Sequence, residues 1–224
     1  MKFTDLLSRA VTAAEETQIR DLAGQVGQLR QTCESLSLED LRAGLARLAP
    51  LRLRSSSTLK RGELESWQRA NEYIAEKIRA EESPTLQSIL EINALLRNLP
   101  TGSIRKQAVY VGIQQACPVG ELTESLQRLE AEILMGTSDT FSKAALAQYW
   151  LISLHPFEDA NGRTAVMLAD WILGMGGYLP MSFDSKLDAL VAIFDNQRAS
   201  ATPGAAIIKL LVNLQRSYRA VLAS

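Results

Sequence analysis

Apolar residues recur at helical spacing along almost the whole chain, which predicts an all-α fold. One apolar stripe runs through residues 4–28, and a shorter one follows Ser37 and is expected to end at Pro50. Ser83 and Pro84 form a helix start, with serine as the N-cap and proline in the first helical position. Further stripes predict helices at 63–80, 84–99, 120–135, 140–154, 162–175, 186–199 and 204–222.

One segment, QAVYVGI at 107–113, has the β-branched and aromatic residues of a strand. It is too short and isolated to build a sheet, so it predicts a small hairpin on a helical body. The hairpin is expected around four residues, Val109, Tyr110, Val111 and Gly112. We expect residues 1–51 to be a helical extension packed on a core of residues 52–224.

Composition narrows the function classes. The 224 residues carry 24 Lys and Arg against 25 Asp and Glu, so a general nucleic-acid binder is disfavoured. No apolar run is long enough to span a bilayer, and the N-terminal segment has no apolar core of a secretory signal. We therefore expect a cytoplasmic protein, or one exported without such a signal. The sequence does not indicate an oligomeric state.

The most informative stretch lies between two apolar helices. The first helix ends at His155, because proline at 156 disfavours helical geometry in the residue before it. His155 is the only histidine, so it is the one candidate for imidazole chemistry, and its ordinary pKa suits a general base near neutral pH. Asp159 offers the hard carboxylate oxygen that Mg²⁺ binds together with water and phosphate.

Asn161, Gly162 and Arg163 open the second helix. A helix N-terminus has unpaired N–H groups and a positive dipole end, so it favours an anion. Gly162 allows a ligand to approach the backbone, and Arg163 adds a charge that can bind phosphate. A base, a metal carboxylate and a phosphate site within nine residues predict phosphoryl or nucleotidyl transfer.

Each of these residues also has an ordinary structural interpretation. A histidine before proline often caps a helix end, an Asp-Ala-Asn-Gly run often forms a turn, and Arg163 could simply be solvated. The combination favours chemistry, because separate structural roles would not require these residue types together.

The stretch HPFEDANGRTAV resembles the signature of Fic (Fic/Doc) domains, H-x-F-x-[D/E]-[G/A]-N-[G/K]-R-x-x-R. The surrounding residues, roughly 52–220, are similar to the helix order and flap hairpin of that fold. The resemblance implies a Fic-like helical bundle in which His155 deprotonates a hydroxyl on a target protein. It further implies that Asp159 holds Mg²⁺, that Asn161–Arg163 bind the nucleotide phosphates, and that Phe157 anchors the loop.

The usual outcome in this family is transfer of AMP from ATP, or of another nucleotide, to Tyr, Thr or Ser. Self-modification of this chain is a further expectation. The hairpin is expected to receive the target chain as an added strand, because a short exposed edge offers unpaired N–H and C=O groups. The alternative is that the hairpin simply covers the site. Glu158, at a variable position of the signature, is expected to point to solvent.

This sequence departs from the family pattern in two places. The last arginine of the signature is Val166, which cannot bind phosphate. The inhibitory glutamate found in many relatives falls on Lys60 or Arg61, according to the alignment. Both partners of one ion pair are therefore absent together, and Arg61 or Lys60 is a candidate to bind the outer phosphate in place of the missing arginine.

Three functions stay open at this point. The first is nucleotide transfer, and the second is transfer of phosphocholine from CDP-choline, or of phosphate, with the nucleotide reversed. The third is a degenerate domain that binds a nucleotide or a partner without catalysis.

Overall fold

The computed structural model describes residues 9–53, 62–111, 114–183 and 202–223. Its elements confirm the predicted all-α class with one small hairpin. The helices, in chain order, are α1 (Ala13–Glu34), α2 (Leu38–Leu53), α3 (Glu63–Arg79), α4 (Leu86–Arg97), α5 (Leu122–Arg128), α6 (Thr140–Leu154), α7 (Asn161–Met175) and α8 (Pro203–Leu222). The hairpin consists of β1 (Tyr110–Val111) and β2 (Gln114–Gln115), which pair in antiparallel orientation.

The chain divides into two compact units, Met1–Ser57 with Gly177–Ser224 and Thr58–Gly176. In the first unit, α8 packs against both α1 and α2. The approach of α2 to α8 is close at Gly44, where an added Cβ would lie 2.5 Å from the carbonyl oxygen of Val221. The contacts of α8 thus group the C-terminal helix with the N-terminal helices α1 and α2. The predicted domain division into residues 1–51 and 52–224 stays a prediction.

The second unit is built around the neighbouring helices α6 and α7, with α3 and α4 packed against α7. Trp171 of α7 lies in its core beside Met167 and Ile92. The indole N–H of Trp171 donates to the carbonyl of Glu82 at 2.9 Å, so this large ring is buried without losing a hydrogen bond. The two apolar helices that flank the HPFEDANGR segment are therefore held in a well-packed core.

Three element boundaries differ from the sequence predictions. Helix α2 continues through Pro50 to Leu53, because a proline this close to the C-terminal end removes only one late backbone hydrogen bond. Helix α4 starts after Thr85 rather than after Ser83, since Thr85 and Ser88 form a reciprocal capping box. The predicted helix 120–135 is a short 3₁₀ turn, the helix α5 and a π-helical end at Leu129–Leu134.

The predicted helix at 186–199 lies outside the described residues. Within the ranges that the structure describes, no helix is long and apolar enough to cross a membrane.

Candidate active site

Helix α6 ends at His155, whose backbone adopts the left-handed conformation with φ 49° and ψ 55°. The N–H of His155 still donates to the carbonyl of Leu151 at 3.1 Å, so the residue closes the last turn of the helix. The left-handed region is unfavourable for a residue with a Cβ, and such residues cluster at functional sites. The chain then leaves the helix through Pro156, as the sequence predicts.

The loop after His155 is closed by a side chain of its own. Asn161 accepts from the N–H of Phe157 at 2.9 Å and donates to the carbonyl of Phe157 at 2.9 Å. The Phe157 ring is fully buried, and the Asn161 side chain is 2% exposed. The amide of Asn161 is therefore occupied inside the loop, and its backbone N–H is the group left to face an anion.

The N-terminus of α7 has no side-chain cap. Its N-cap residue is Ala160, which is also left-handed at φ 63° and makes no capping hydrogen bond. Asn161, Gly162 and Arg163 form the first turn of α7. Their backbone N–H groups have no carbonyl acceptor within the helix, because no helical turn precedes them. An uncapped first turn with a glycine in it is suited to a phosphate group.

Arg163 reaches back across this N-terminus toward two carboxylates. Its Nη1 lies 3.4 Å from Oε1 of Glu63, at the start of α3, and its Nη2 lies 3.7 Å from Oδ2 of Asp159. A cavity of about 410 Å³ opens beside Arg163 and Asp159. Its other lining residues come mainly from α3 and α4 and include Glu63, Glu65, Arg69, Arg97 and Asn98.

The carboxylate of Asp159 is 73% exposed, while its backbone is fixed. Asn93, a fully buried residue of α4, donates to the carbonyl of Asp159 at 3.0 Å and to the hydroxyl of Thr164 at 3.1 Å. Glu158 points outward and pairs with Arg97 at 3.0 Å. The two adjacent acidic residues therefore differ, because Asp159 borders the cavity and Glu158 is bound at the surface.

The residues present are compatible with a magnesium ion whose coordination shell is completed by a bound phosphate and by water. In the described part of the chain, no three His, Cys, Asp or Glu residues are grouped as a metal site. Mg²⁺ often takes only one or two protein carboxylates and completes its shell with phosphate oxygens and water. The exposed carboxylate of Asp159, beside the N-terminus of α7, has that character.

The surroundings of His155 favour the neutral form of its imidazole. Burial lowers the pKa of His155 below its ordinary value; the backbone of Ile152 acts in the opposite direction, the charge of Arg105 lowers it further, and the carboxylate of Asp159 raises it. A lowered pKa keeps the ring neutral near pH 7, which is the form required of a general base.

The hairpin belongs to the same unit as His155, and the structure describes its two strands but not residues 112–113 between them. The carbonyl of Val109 accepts from the N–H of Ala116 at 3.0 Å, and Tyr110 lies opposite Gln115. The side chain of Tyr110 is 67% exposed. Val111 lies opposite Gln114, and Gly112 lies outside the described residues.

Two other predicted residues, Lys60 and Arg61, also lie outside the described residues, so their proposed contact with phosphate stays a prediction. Val166 is half-buried on α7, one turn after Arg163. The site therefore joins His155, Asp159 and the Asn161–Arg163 turn within one unit.

Three residues of the site were missed by the sequence analysis: Asn93, Arg105 and Glu63. Arg105 is 2% exposed and donates to the carbonyl of His155 at 2.7 Å. Each of the three is distant in sequence from the loop that it contacts. An arginine in a polar turn and an asparagine within a helix carry no local signal that would have identified them.

A family model matches the part of the chain that contains the motif. Residues 83–173 match the model of the Fic/DOC family. Proteins named protein adenylyltransferase Fic, from Drosophila sechellia and Drosophila melanogaster, are each 35% identical over 104 residues. Each match covers 43% of this chain and 21% of the relative, so the chain matches about a fifth of the length of these curated relatives.

Solved structures share the fold at lower identity. A Fic domain containing signaling protein from Bacteroides thetaiotaomicron superposes with a TM-score of 0.69 at 18% identity, covering 92% of this chain and 97% of that one. Fic-1 from C. elegans superposes with a TM-score of 0.66 at 19% identity, covering 94% and 72%. A structure of IbpAFic2 covalently tethered to Cdc42 has the same TM-score, identity and coverage as Fic-1.

Proposed function

Because the chain carries a Fic/DOC-family domain at residues 83–173, which confirms the resemblance predicted from its motif, we propose that it is a Fic-type transferase. It moves a nucleotide-derived phosphate group, AMP or another NMP from an NTP, onto a hydroxyl side chain of a target protein. The observation that carries this proposal is that one short loop, residues 156–160, joins His155 at the end of α6 to the uncapped N-terminus of α7.

His155 acts as the general base. The hydroxyl oxygen of the target forms a bond to the α-phosphorus of the nucleotide, the bond from that phosphorus to the diphosphate breaks, and the hydroxyl proton passes to the imidazole. The lowered pKa of His155 supports this role, because a ring that is neutral at rest can accept the proton. The buried Phe157 ring and the two hydrogen bonds between the Asn161 side chain and the Phe157 backbone keep the loop in place during this step.

The first turn of α7 binds the phosphates. Backbone N–H groups of Asn161, Gly162 and Arg163 would donate to phosphate oxygens, and the guanidinium of Arg163 would add a charge-assisted contact. Asp159 would hold Mg²⁺, which supplies neutralisation of phosphate charge when it is bound. The exposed carboxylate of Asp159 and its fixed backbone support that assignment.

The identity of the donor depends on what binds the outer phosphate. Val166 cannot do so, and Arg61 or Lys60 would have to supply the missing charge for ATP or another NTP. A second candidate is phosphocholine transfer from CDP-choline, or phosphate transfer, with the nucleotide reversed. The apolar side chain at Val166 favours this second candidate, because a reversed donor needs no arginine at that position.

The acceptor is a Tyr, Thr or Ser side chain of a target protein, or of this chain itself in self-modification. Support comes from relatives that are named as protein adenylyltransferases, and from IbpAFic2 structures in which Cdc42 is tethered or adenylylated. We propose that the target chain lies along the free edge of β1 as an added strand.

The test is mass spectrometry of the protein, alone and with cell lysate, after incubation with Mg²⁺ and ATP, UTP, GTP or CDP-choline in turn. The mass increment identifies the transferred group. His155→Ala should reduce the rate by about 10²–10⁴-fold, which is typical for loss of a general base, while circular dichroism stays unchanged. The wild-type rate should fall at acid pH only below the ordinary histidine value of 6.5, because burial lowers the pKa of His155.

Two outcomes would contradict the proposal. Turnover of His155→Ala at the wild-type rate would rule out the histidine as the base, and unfolding of that variant would indicate a helix-capping role instead. If the wild-type chain binds nucleotides in calorimetry but transfers no group to any protein, it is a binding domain without catalysis.

A further inference from the structure

Arg105 is a buried arginine whose polar contacts are all with main-chain carbonyl groups. Its Nε donates to the carbonyl of His155 at 2.7 Å, and one Nη donates to the carbonyl of Gln107 at 2.7 Å. The other Nη donates to the carbonyl of Cys117 and lies 3.5 Å from that of Leu154. The backbone N–H of Arg105 donates to the carbonyl of Pro156 at 2.9 Å.

These acceptors belong to two different parts of the second unit. Leu154, His155 and Pro156 form the end of α6 and the start of the active-site loop. Gln107 and Cys117 flank the hairpin on its two sides. One side chain therefore joins the backbone of the proposed base to both ends of the flap.

The burial of Arg105 is unusual because its charged guanidinium has no acidic partner among the described residues. Arg105 is 2% exposed, and across the described ranges it forms no ion pair with a carboxylate. Burial lowers the pKa of Arg105 from its ordinary value. Removal of Arg105 would leave these main-chain carbonyl groups without donors and would cost stability, but that cost does not explain why the acceptors converge on the end of α6.

The geometry at His155 supplies a better reason. His155 leaves the α-helical conformation at φ 49° and ψ 55°, and the guanidinium of Arg105 donates to its carbonyl. A guanidinium has five donors in a rigid fork spread over three nitrogen atoms, whereas the three donors of an ammonium all radiate from one nitrogen and span a shorter distance.

We infer that Arg105 is a positioning residue, which holds His155 in its left-handed conformation and fixes the base of the hairpin to the same backbone. Its consequence for catalysis rests on the proposed function, since it requires His155 to be the base. Its structural part does not, because the conformation of His155 can be measured without any transfer.

The single histidine makes the experiment direct. Protein labelled selectively with ¹³C,¹⁵N-histidine gives one set of signals, and the Cα and Cβ shifts of His155 report its backbone conformation. We expect Arg105→Lys to keep the fold by circular dichroism and to move both shifts away from their wild-type values. Arg79→Lys is the matched control, since the exposed Arg79 donates to the carbonyl of Ala75 in its own helix at 3.2 Å, and its replacement should leave the His155 signals unchanged.

Kinetics supply the second measurement where transfer is detected. Misplacement of the base should lower kcat of Arg105→Lys by about 10–100-fold, with a much smaller change in KM for the nucleotide, because the phosphates bind to α7. In the wild type, the Nε–H of Arg105 should exchange with solvent far more slowly than those of exposed arginines.

Wild-type His155 shifts in a folded Arg105→Lys variant would overturn the inference. So would rapid exchange of the Arg105 Nε–H in the native protein, a result that needs no variant and therefore decides the case if Arg105→Lys does not fold. Absence of transfer by the wild-type chain would contradict the proposed function only, because both NMR measurements would still be made.

Discussion

Asp159 combines a fixed backbone with an exposed carboxylate. Asn93 holds its carbonyl from inside α4, and its own Oδ1 accepts from the N–H of Ala160 at 2.6 Å. The remaining oxygen borders the cavity at 3.7 Å from Arg163. At the scale of single residues, hydrogen bonds thus hold the backbone of the loop at its turn, while one carboxylate oxygen of Asp159 stays accessible to a cation.

Asp159→Asn should separate the charge of this residue from its structural contact. The amide oxygen can still accept from the N–H of Ala160, so the loop should be retained, but a neutral amide binds Mg²⁺ weakly. We expect the Mg²⁺ concentration for half-maximal transfer to rise by about tenfold or more. The measurement is a Mg²⁺ titration of the transfer rate.

Glu158→Gln is the contrasting variant, because the carboxylate of this neighbour lies outside the cavity lining and pairs with Arg97 at the cavity edge. It should leave the titration unchanged. A strong dependence on Glu158 together with indifference to Asp159 would mean that the two carboxylates exchange roles and that the assignment is wrong.

The sequence predicted the residues of this loop because they lie within nine positions of one another. Phe157 is the buried anchor that was expected. Asn161 differs in detail, since its side chain bonds to Phe157 rather than facing a ligand. Arg105 and Asn93 were not predictable, because their roles arise only when segments about 50 and 66 residues away are packed against the loop.

At the scale of elements, the N-termini of α3 and α7 meet through one ion pair. Arg163 is the only arginine of the first turn of α7, and Glu63, the first residue of α3, lies 3.4 Å from it. The exposed fractions of the two side chains are 19% and 28%. An incoming phosphate must therefore compete with this carboxylate for the guanidinium.

Glu63→Gln should release Arg163 and tighten nucleotide binding. Partly exposed pairs are worth up to about 1 kcal/mol, which corresponds to a gain in affinity of about fivefold at most. Calorimetry with the nucleotide that the transfer assay selects is the measurement. Glu65→Gln lines the same cavity without that ion pair and is the control for a general loss of negative charge. Weaker binding by Glu63→Gln would show that Glu63 supports the site instead of competing with the ligand.

The hairpin register determines which backbone groups are available to a target chain. The Val109–Ala116 pair is joined by a hydrogen bond, and pairs alternate along an antiparallel ladder. The next pair, Tyr110 with Gln115, is therefore of the non-hydrogen-bonded type, and the N–H and carbonyl of Tyr110 face the free edge. Val111 pairs inward with Gln114.

Tyr110→Pro should therefore remove an outward donor while leaving the internal ladder intact, since proline is tolerated on an edge strand. We expect the rate of target modification to fall while nucleotide affinity is unchanged. Val111→Pro is the contrasting variant, because it removes an internal hydrogen bond and should disrupt the hairpin itself. Undiminished target modification by Tyr110→Pro would argue that the flap covers the site without docking the target.

Sequence patterns predicted the presence of these elements better than their ends. Apolar periodicity identified α6 and α7 because both are buried over most of their length. The start of α4 was misplaced because the capping box of Thr85 and Ser88 competes successfully with the Ser83-Pro84 signal. Helix ends depend on such local competition between caps, which periodicity does not detect.

At the scale of the whole molecule, the site residues His155, Asp159 and Arg163 lie in one compact unit, and α1, α2 and α8 lie in the other. We therefore expect substitutions in the first unit to affect stability rather than nucleotide binding. Two glycines of the first unit make a matched pair for this purpose. Gly44 is buried against Val221, whereas a Cβ added to Gly24 in α1 would meet no atom within 4 Å.

Gly44→Ala should destabilise the protein, because the new methyl group would lie 2.5 Å from the Val221 carbonyl oxygen and 2.7 Å from its Cγ1. That carbonyl is also held by Arg47 at 2.9 Å, so the backbone cannot move away without losing a hydrogen bond. We expect a loss of about 1–3 kcal/mol in the free energy of unfolding, as is usual for overpacking. Gly24→Ala should instead stabilise by about 0.5–1 kcal/mol, since alanine favours a helix interior.

Neither substitution should change nucleotide affinity or the His155 NMR signals at a temperature where both variants are folded, because neither glycine belongs to the unit that holds the site. Urea unfolding and calorimetry on the same samples measure the two effects. Loss of nucleotide affinity in folded Gly44→Ala would mean that the N-terminal and C-terminal helices act on the active site, and that α2 and α8 form part of the catalytic machinery as well as of the scaffold.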